Sequence, residues 1–376
     1  MPRILILYVP LGDGHSSAAK ALGEAFAHYP DVEVQIEDAF DYASPILRET
    51  ITRLYKQLSE KSPQLYRMIY EGSDVEDPED SLSSNLLFAQ IERPFFRKLE
   101  QMVKETNPDA IICVQQIPSR FLQLLEREGK LSKPHYVVIT DVIAHSTWIN
   151  PGITRYFVPT ELSANVLIQR GVEPLRIQVT GIPVKLEISE LKSMQEMRLR
   201  HDLPTDTPLV TLFGGGLHPQ RVHVMVTNLL ERSQPGTLVV VAGRNESLIE
   251  ALADLTDGSQ IKLRKLGMID FVDDLVAASD LVISKAGGLL VSEVMARGTP
   301  MVIIDPFPGQ EEWNADMVAA SGAGIQLRLP EAVSSAVDTL LSQPEQLTFM
   351  RDRARIVGQP RAALEIAERI LADLQG

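Results

Sequence analysis

Three side chains of this sequence combine acid–base chemistry with a position just past an apolar run. His15 lies in "VPLGDGHSSAAK", directly after "RILILYV", while Asp141 and His145 lie in "VITDVIAHSTW", directly after "HYVV". A bare connection needs a turn residue, which Gly12 and Gly14 supply, but it does not need an imidazole. A lone histidine or aspartate is more often structural. Placed where a ligand would sit, however, either can take the proton of an attacking hydroxyl. In open parallel sheets ligands lie outside the carboxyl ends of the strands, which is where Asp141 is expected. His145 follows it by four residues, so the two share a hydrogen bond if a turn brings them together. Metal binding is the competing reading, but no third ligand is apparent at metal spacing, and none is expected.

Other segments are suited to anions and sugar hydroxyls. The loop "PLGDGHSS" is not a full dinucleotide fingerprint, because Ala18 and Ala19 replace the third glycine and Asp13 opposes a phosphate. "LFGGGLHPQ" places Gly214, Gly215 and Gly216 after an apolar run, and "LVISKAGGLLVSEVMAR" places Lys285, Gly287 and Gly288 between a run and a helical pattern. Glycines there let backbone N–H groups and a helix N-terminus approach a phosphate. Glu293, a turn and a half further on, is placed to take both hydroxyls of a ribose; the bland alternative is a solvated glutamate. "PFPGQEEWNADMV" bunches Gln310, Glu311 and Asn314 at a helix opening, a grouping suited to reading sugar hydroxyls. Glu312 and Asp316 read as an ordinary solvated helix start.

The elements that must position these groups follow from the apolar pattern. "RILILYV", "VEVQIED", "AIICV", "HYVVIT", "RYFVP" and "RIQVTG" read as strands of a first half. "LVTLFGG", "TLVVVAG", "IKLRKLG", "LVIS" and "MVIID" read as strands of a second. Continuous apolar strands separated by helical patterns predict parallel sheets buried on both faces, hence two doubly wound α/β domains. The expected division is a domain over 1–184, a polar linker over 185–206, a second domain over 207–345 and terminal helices over 346–376, the last packing back on the first domain. The acidic, Ser-rich stretch from Gly72 to Asn85 is expected to be irregular and mobile.

Composition narrows the partners. The chain has 376 residues with a formal net charge of −14, which argues against nucleic acid. Its one cysteine, Cys113, lies in an apolar run and reads as a buried thiol of a reducing compartment. No apolar stretch approaches the ~20 residues needed to span a bilayer, and the opening residues carry no secretory pattern, so a cytoplasmic location is expected. Two segments nevertheless suit a membrane surface. Ser44–Gly72 carries Arg48, Arg53, Lys56, Lys61 and Arg67 against Glu49 and Glu60, with Ile46, Leu47, Ile51, Leu54, Tyr55, Leu58, Leu65, Met68 and Ile69 at roughly helical spacing. Ile91–Lys104 adds Phe95 and Phe96 as candidate wedges. Packing against a sheet is the alternative for both.

Taken in order, "GDGHSSAAKAL", "LYRMIYEGSD", "PDAIICVQQIP", "TDVIAHSTW", "VVAGRN", "ISKAGGLLVSEVMARGTPMVI" and "PGQEEWNADM" resemble glycosyltransferase family 28, in its diacylglycerol glucosyl- and galactosyltransferase branch. The resemblance implies a GT-B architecture, two facing Rossmann-like domains with a cleft between them. It implies inverting, metal-independent transfer of glucose or galactose from a UDP-sugar to diacylglycerol at the inner leaflet, with no cofactor. Gly214 to Gly216, Gly287 and Gly288 would contact the diphosphate, and Glu293 the ribose. Gln310 and Glu311 would read the sugar, while Arg244, Met268, Ser284, Lys285 and Asn314 would line the donor site. His15, Asp141 and His145 would face the reacting centre, with Asp141 as base and His15 positioning it, or the reverse. Asp13, among the glycines before His15, and Trp313 depart from the family pattern. Other readings are a UDP-N-acetylglucosamine-type transferase with a polyprenyl-linked or soluble acceptor, and a UDP-sugar epimerase.

Overall fold

The computed structural model describes residues 1–75 and 77–375, with every side chain among them except those of Asp13, Lys56, Ser59, Glu60, Lys61, Pro63, Pro78 and Glu79. The sequence reading of Asp13, Lys56, Glu60 and Lys61 therefore lies outside the described side chains. Two compact units result. The first comprises Met1–Ser189, Pro308–Gln310 and the chain from Arg361 onward, and the second Glu190–Phe307 with Glu311–Pro360.

The first unit runs β1 (Arg3–Tyr8), α1 (Asp13–Ala27), β2 (Glu33–Asp38), α2 (Pro45–Lys61), α3 (Pro63–Gly72), α4 (Pro78–Glu92), α5 (Arg97–Thr106), β3 (Ala110–Cys113), α6 (Gln116–Arg127), β4 (His135–Val138), β5 (Arg155–Val158), α7 (Glu161–Gln169) and β6 (Ile177–Val179). Its sheet is wholly parallel in the order β2-β1-β3-β4-β5-β6. The chain moves outward from β1 to β2 and returns to β3 on the other side, which opens a crevice at the carboxyl ends of β1 and β3. Side chains alternate across β1. Ile4 and Ile6 meet Phe26 of α1 on one face, and Leu5 and Leu7 meet Phe40, Phe96 and Phe121 on the other.

The second unit runs α8 (Met194–Arg200), β7 (Leu209–Phe213), α9 (Pro219–Leu230), β8 (Gly236–Val241), α10 (Glu246–Ala251), β9 (Ile261–Leu266), α11 (Val272–Ala278), β10 (Leu281–Ser284), α12 (Gly288–Ala296), β11 (Met301–Ile304), α13 (Gln310–Ser321), β12 (Gly324–Leu327), α14 (Glu331–Leu341) and α15 (Pro344–Val357). Its parallel order β12-β11-β10-β7-β8-β9 puts the switch point between β7 and β10. A final helix, α16 (Ala362–Gln375), belongs to the first unit, where Ala363, Ile366, Ala367 and Ile370 complete the face of the sheet that α1 covers.

Several expectations change. The interval 185–206 is folded: Met197 is buried, and Arg198 donates to Ala278 O at 2.9 Å, Thr207 O at 3.1 Å and Asp280 at 2.6 Å. Arg198→Met would leave those acceptors short of a partner in a dry site. The expected cost is about 3 kcal/mol, measured as a lower urea midpoint at unchanged slope. The described residues between Gly72 and Asn85 are anchored, because Asp74 takes the Arg170 fork and the buried Ser81 and Asn85 of α4 both donate to Ser146 O. Phe96 is no membrane wedge, since it is fully buried with its ring 5.4 Å from that of Phe121. In α2 and α3, Leu47 and Ile51 pack against the core rather than facing outward, whereas Ile46, Leu54, Leu65, Met68 and Ile69 are exposed, as are Leu87, Phe88 and Ile91 of α4. Among the described residues no helix is long and apolar enough to cross a membrane.

Candidate active site

At the switch point of the first unit the chain turns at Gly12, whose φ of +89° suits a residue without a Cβ, and enters α1. His15 thus stands in the first turn of α1 rather than in a loop. Its Nδ1 is 2.9 Å from Val114 O, just past β3, and 3.0 Å from Thr140 Oγ1, just past β4. A carbonyl only accepts, so Nδ1 carries the hydrogen and Nε2 keeps its lone pair. Burial lowers the pKa of His15 to about 4, against the Val114 contact, so the ring is neutral at pH 7.

Asp141 Oδ2 accepts from the indole N–H of Trp148 at 3.0 Å. Burial pushes the carboxyl up to about 6 and the Trp148 bond opposes it. Trp148 is fully buried, and its ring lies 6.4 Å from that of His15. One indole therefore holds Asp141 with its edge and borders His15. Trp148→Phe keeps the ring and removes the donor, so the Asp141 pKa should climb beyond about 6. The acid limb of the pH–rate profile should move to higher pH in that variant.

His145 does not pair with Asp141. Its Nδ1 accepts from Thr147 N–H at 3.1 Å, and its Nε2 lies 2.9 Å from Tyr70 O, so both nitrogens are engaged in a side chain 2% exposed. Burial lowers its pKa, partly offset by Asp74. The ring ties the 146–148 turn to α3. Asp74 completes the tie by accepting from Ser146 N–H at 2.8 Å and from the Arg170 fork. Burial works against the Asp74 carboxylate, yet Arg170, His145 and Ser146 together hold it below its usual range. An aromatic series leads away from this point. Tyr70 lies 4.6 Å from His145, Tyr66 stacks on Tyr70 at 5.9 Å, and Tyr55 meets Tyr66 edge-on at 6.2 Å.

The second unit carries a pocket of about 210 Å³ at its own switch point, lined by Phe213, Gly215, Gly216, Ser284, Lys285 and Gly287 among others. A Cβ on Gly215 would stand 3.0 Å from the backbone oxygen of Ala242, so that position favours glycine, whereas one on Gly216 would displace the movable end of the Lys285 side chain, 2.5 Å away at Cε. Gly287 precedes α12, and Gly288 opens it, which directs the N-terminal amides of that helix to this end of the sheet. Lys285 Nζ reaches Glu311 Oε1 at 2.7 Å, while Glu311 Oε2 accepts from Phe307 N–H at 2.8 Å. Asn314 Nδ2 donates to Ala286 O at 2.8 Å.

These contacts give Glu311 and Asn314 a different emphasis from the sequence reading, since they brace Lys285 and the glycine turn. Glu293 is buried on α12, not solvated, and Ser284 is buried beneath the pocket. Gln310 opens α13. Arg244 and Met268 are exposed and stand outside the pocket lining. Gly214 precedes it, its N–H donating to Val241 O at 2.9 Å. Sequence reasoning missed Trp148 as the partner of Asp141, the Asp74–Arg170 tie, and Asp305. Asp305 takes a positive φ of 48° after β11 and is forked by Arg221. Among the described residues no three His, Cys, Asp or Glu side chains gather as a metal cluster.

Residues 15–184 match the monogalactosyldiacylglycerol (MGDG) synthase family, and residues 210–370 match the glycosyltransferase family 28 C-terminal domain. A protein of Bacillus subtilis (strain 168) named processive diacylglycerol beta-glucosyltransferase is 28% identical over 99% of this chain and 95% of its own. A Bacillus cereus (strain 03BB102) protein of the same name is 29% identical over 99% of this chain and 94% of its own. Among solved structures, Acinetobacter baumannii MurG aligns with a TM-score of 0.66 at 17% identity, covering 99% of this chain and 100% of that one. The calicheamicin glycosyltransferase CalG4 aligns at 0.63 and 14%, covering 100% of both chains. The UDP-GlcNAc 2-epimerase of Neisseria meningitidis aligns at 0.62 and 13%, covering 98% of this chain and 100% of that one. At these identities the structures establish the fold, which is GT-B.

Proposed function

Because the chain belongs to glycosyltransferase family 28, in its diacylglycerol glycosyltransferase branch, we propose that it moves glucose from UDP-glucose to the free hydroxyl of diacylglycerol, with inversion and without a metal. The carrying observation is the likeness, over 99% of this chain, to relatives named for that transfer. Asp141 acts as the base that removes the acceptor proton as the hydroxyl attacks the anomeric carbon. A pKa near 6 leaves it ionised at pH 7 yet more basic than an ordinary carboxylate. The hydroxyl's single proton goes to Asp141, and His15, neutral with Nε2 an acceptor only, borders the same Trp148 indole and is the group that would take the proton if the roles were reversed. His145 and Trp148 hold the turn that presents the carboxylate.

UDP departs with developing negative charge. Lys285, the amides of Gly215 and Gly216 and the opening of α12 at Gly287 and Gly288 stabilise it, which is how a transfer of this kind proceeds without a divalent ion. Glu293 takes the ribose, and Gln310 reads the sugar with Glu311 and Asn314 bracing the turn. Ser284, Arg244 and Met268 complete the donor side. The exposed apolar side chains of α2 and α3, flanked by Arg48, Arg53 and Arg67, contact the anionic surface in which diacylglycerol resides.

The test is UDP release with UDP-glucose, UDP-galactose or UDP-N-acetylglucosamine, each with and without diacylglycerol in anionic vesicles, in EDTA. Release that requires both UDP-glucose and diacylglycerol, with a β-linked product by NMR, is expected. Release without lipid, or only after a divalent ion is restored, would overturn the reading.

A further inference from the structure

In the transferase reading Gln310 meets the donor sugar, and it opens α13 directly after a turn that is placed from elsewhere. Although its neighbours on either side belong to the second unit, Pro308–Gln310 belongs to the first. Gly309 in this turn has a φ of +94°, a conformation that favours glycine. A Cβ there would stand 3.3 Å from Tyr70 Cδ1 and 3.7 Å from Tyr66 Cε1. The first separation is tighter than a side chain normally keeps. The turn therefore lies with its bare Cα against two rings of α3, an approach that a side chain at this position would hinder.

The same rings are fixed to the turn that serves Asp141. Tyr66 and Tyr70 are four residues apart on α3 and so share a face, where they stack with planes 13° apart. Tyr55 of α2 backs Tyr66 edge-on, at 82°. The Tyr70 ring lies 4.6 Å from that of His145, and Tyr70 O accepts from His145 Nε2–H at 2.9 Å. His145 in turn begins the 3-10 turn that carries Trp148 to Asp141. Burial first, and Asp141 next, push the Tyr70 phenol well above its usual range, so it stays neutral and its contacts are those of an aromatic ring.

We propose that Tyr70, backed by Tyr66, is a positioning residue that holds the Gly309–Gln310 turn at a fixed distance from the Asp141 turn and so determines which hexose is accepted. The physical basis is the steepness of hydrogen bonding with distance. N–H···O bonds weaken beyond about 3.2 Å, and a misplacement of about 1 Å costs up to about 10²-fold in rate. Glucose and galactose differ in the orientation of one hydroxyl, so discrimination between them is what a displaced Gln310 loses first. The consequence for the sugar rests on the proposed role of Gln310, whereas the contact between Gly309 and the rings does not.

Two variants test the contact from opposite sides. Tyr70→Leu removes the ring from α3, and Gly309→Ala adds a methyl group to the turn while leaving α3 intact. Each is expected to lower kcat/KM for UDP-glucose by about 10-fold, the loss for one hydrogen bond. UDP-galactose should lose less, so the glucose-to-galactose ratio of kcat/KM falls, whereas a loss of folded protein alone scales both sugars equally. Tyr70→Phe keeps the ring and should keep the ratio within about two-fold. The contact itself is read by NMR of the full chain carrying 13C at the glycine Cα, without donor or acceptor. The Gly309 Hα signals, identified by their absence from Gly309→Ala, should be displaced by ring current in the wild type and in Tyr70→Phe. In Tyr70→Leu they should return toward ordinary glycine positions. Because this readout needs no turnover, failure of the transferase reading and failure of the contact give different results. Gly309 signals unmoved by Tyr70→Leu, a sugar ratio unchanged in both Tyr70→Leu and Gly309→Ala, or an equal loss of the ratio in Tyr70→Phe and Tyr70→Leu would overturn the proposal.

Discussion

Asp141→Asn is expected to lower kcat by about 10³-fold while leaving UDP affinity within about two-fold, because a general base typically contributes between about 10² and 10⁴. The amide keeps an oxygen for the Trp148 indole, so the turn should hold and the loss should be chemical rather than structural. The pH–rate profile separates Asp141 from its neighbour. A base must be deprotonated, so activity falls as pH drops through its pKa. An acid limb near 6 identifies Asp141, whereas one near 4 identifies His15. Full activity in Asp141→Asn with a limb near 4 would reverse the two roles.

Lys285→Met should weaken UDP binding by about 10- to 100-fold, the range for losing one charge-assisted contact to a phosphate. The site argues for an effect at the upper end. Lys285 Nζ is held by Glu311 Oε1, and Glu311 is 6% exposed. Without the ammonium, a nearly buried carboxylate is left uncompensated beside Gly287, where it repels a diphosphate. Lys285→Met with Glu311→Gln should recover part of the loss, measured by calorimetry with UDP. Equal affinity in wild type and Lys285→Met would remove lysine from the donor site.

Much of this was legible in the sequence because buried parallel strands are written as apolar runs. "RILILYV" and "LVIS" announced β1 and β10, and the glycines after β7 and β10 marked the turns that end beside the second-unit pocket. The strand β12 was not read, since "GIQL" begins at a glycine and keeps only that residue fully buried at the sheet edge. Nor did the acidic stretch after Gly72 look ordered. Its order comes from distant partners, Arg170 and Ser146, which no local pattern encodes. The spacing of Asp141 and His145 suggested a pair, but β-region backbone at His145 starts a 3-10 turn that sends the imidazole to Tyr70 and brings Trp148 round to Asp141. Whether four residues meet or part is decided by that turn, and the residue types alone do not state it.

The placement of α16 has a consequence in time as well as in space. Its Ile366, Ala367 and Ile370 complete the cluster that Leu22 and Phe26 begin, and Arg155 of β5 pairs with its Asp373 at 3.0 Å. Synthesis proceeds at about 5–20 residues per second, so a nascent first unit waits tens of seconds for its closing helix while the whole second unit is made. Through that interval the face of the first unit that α16 covers lacks its partner. The earliest residues of the chain thus share a core with nearly the last ones made.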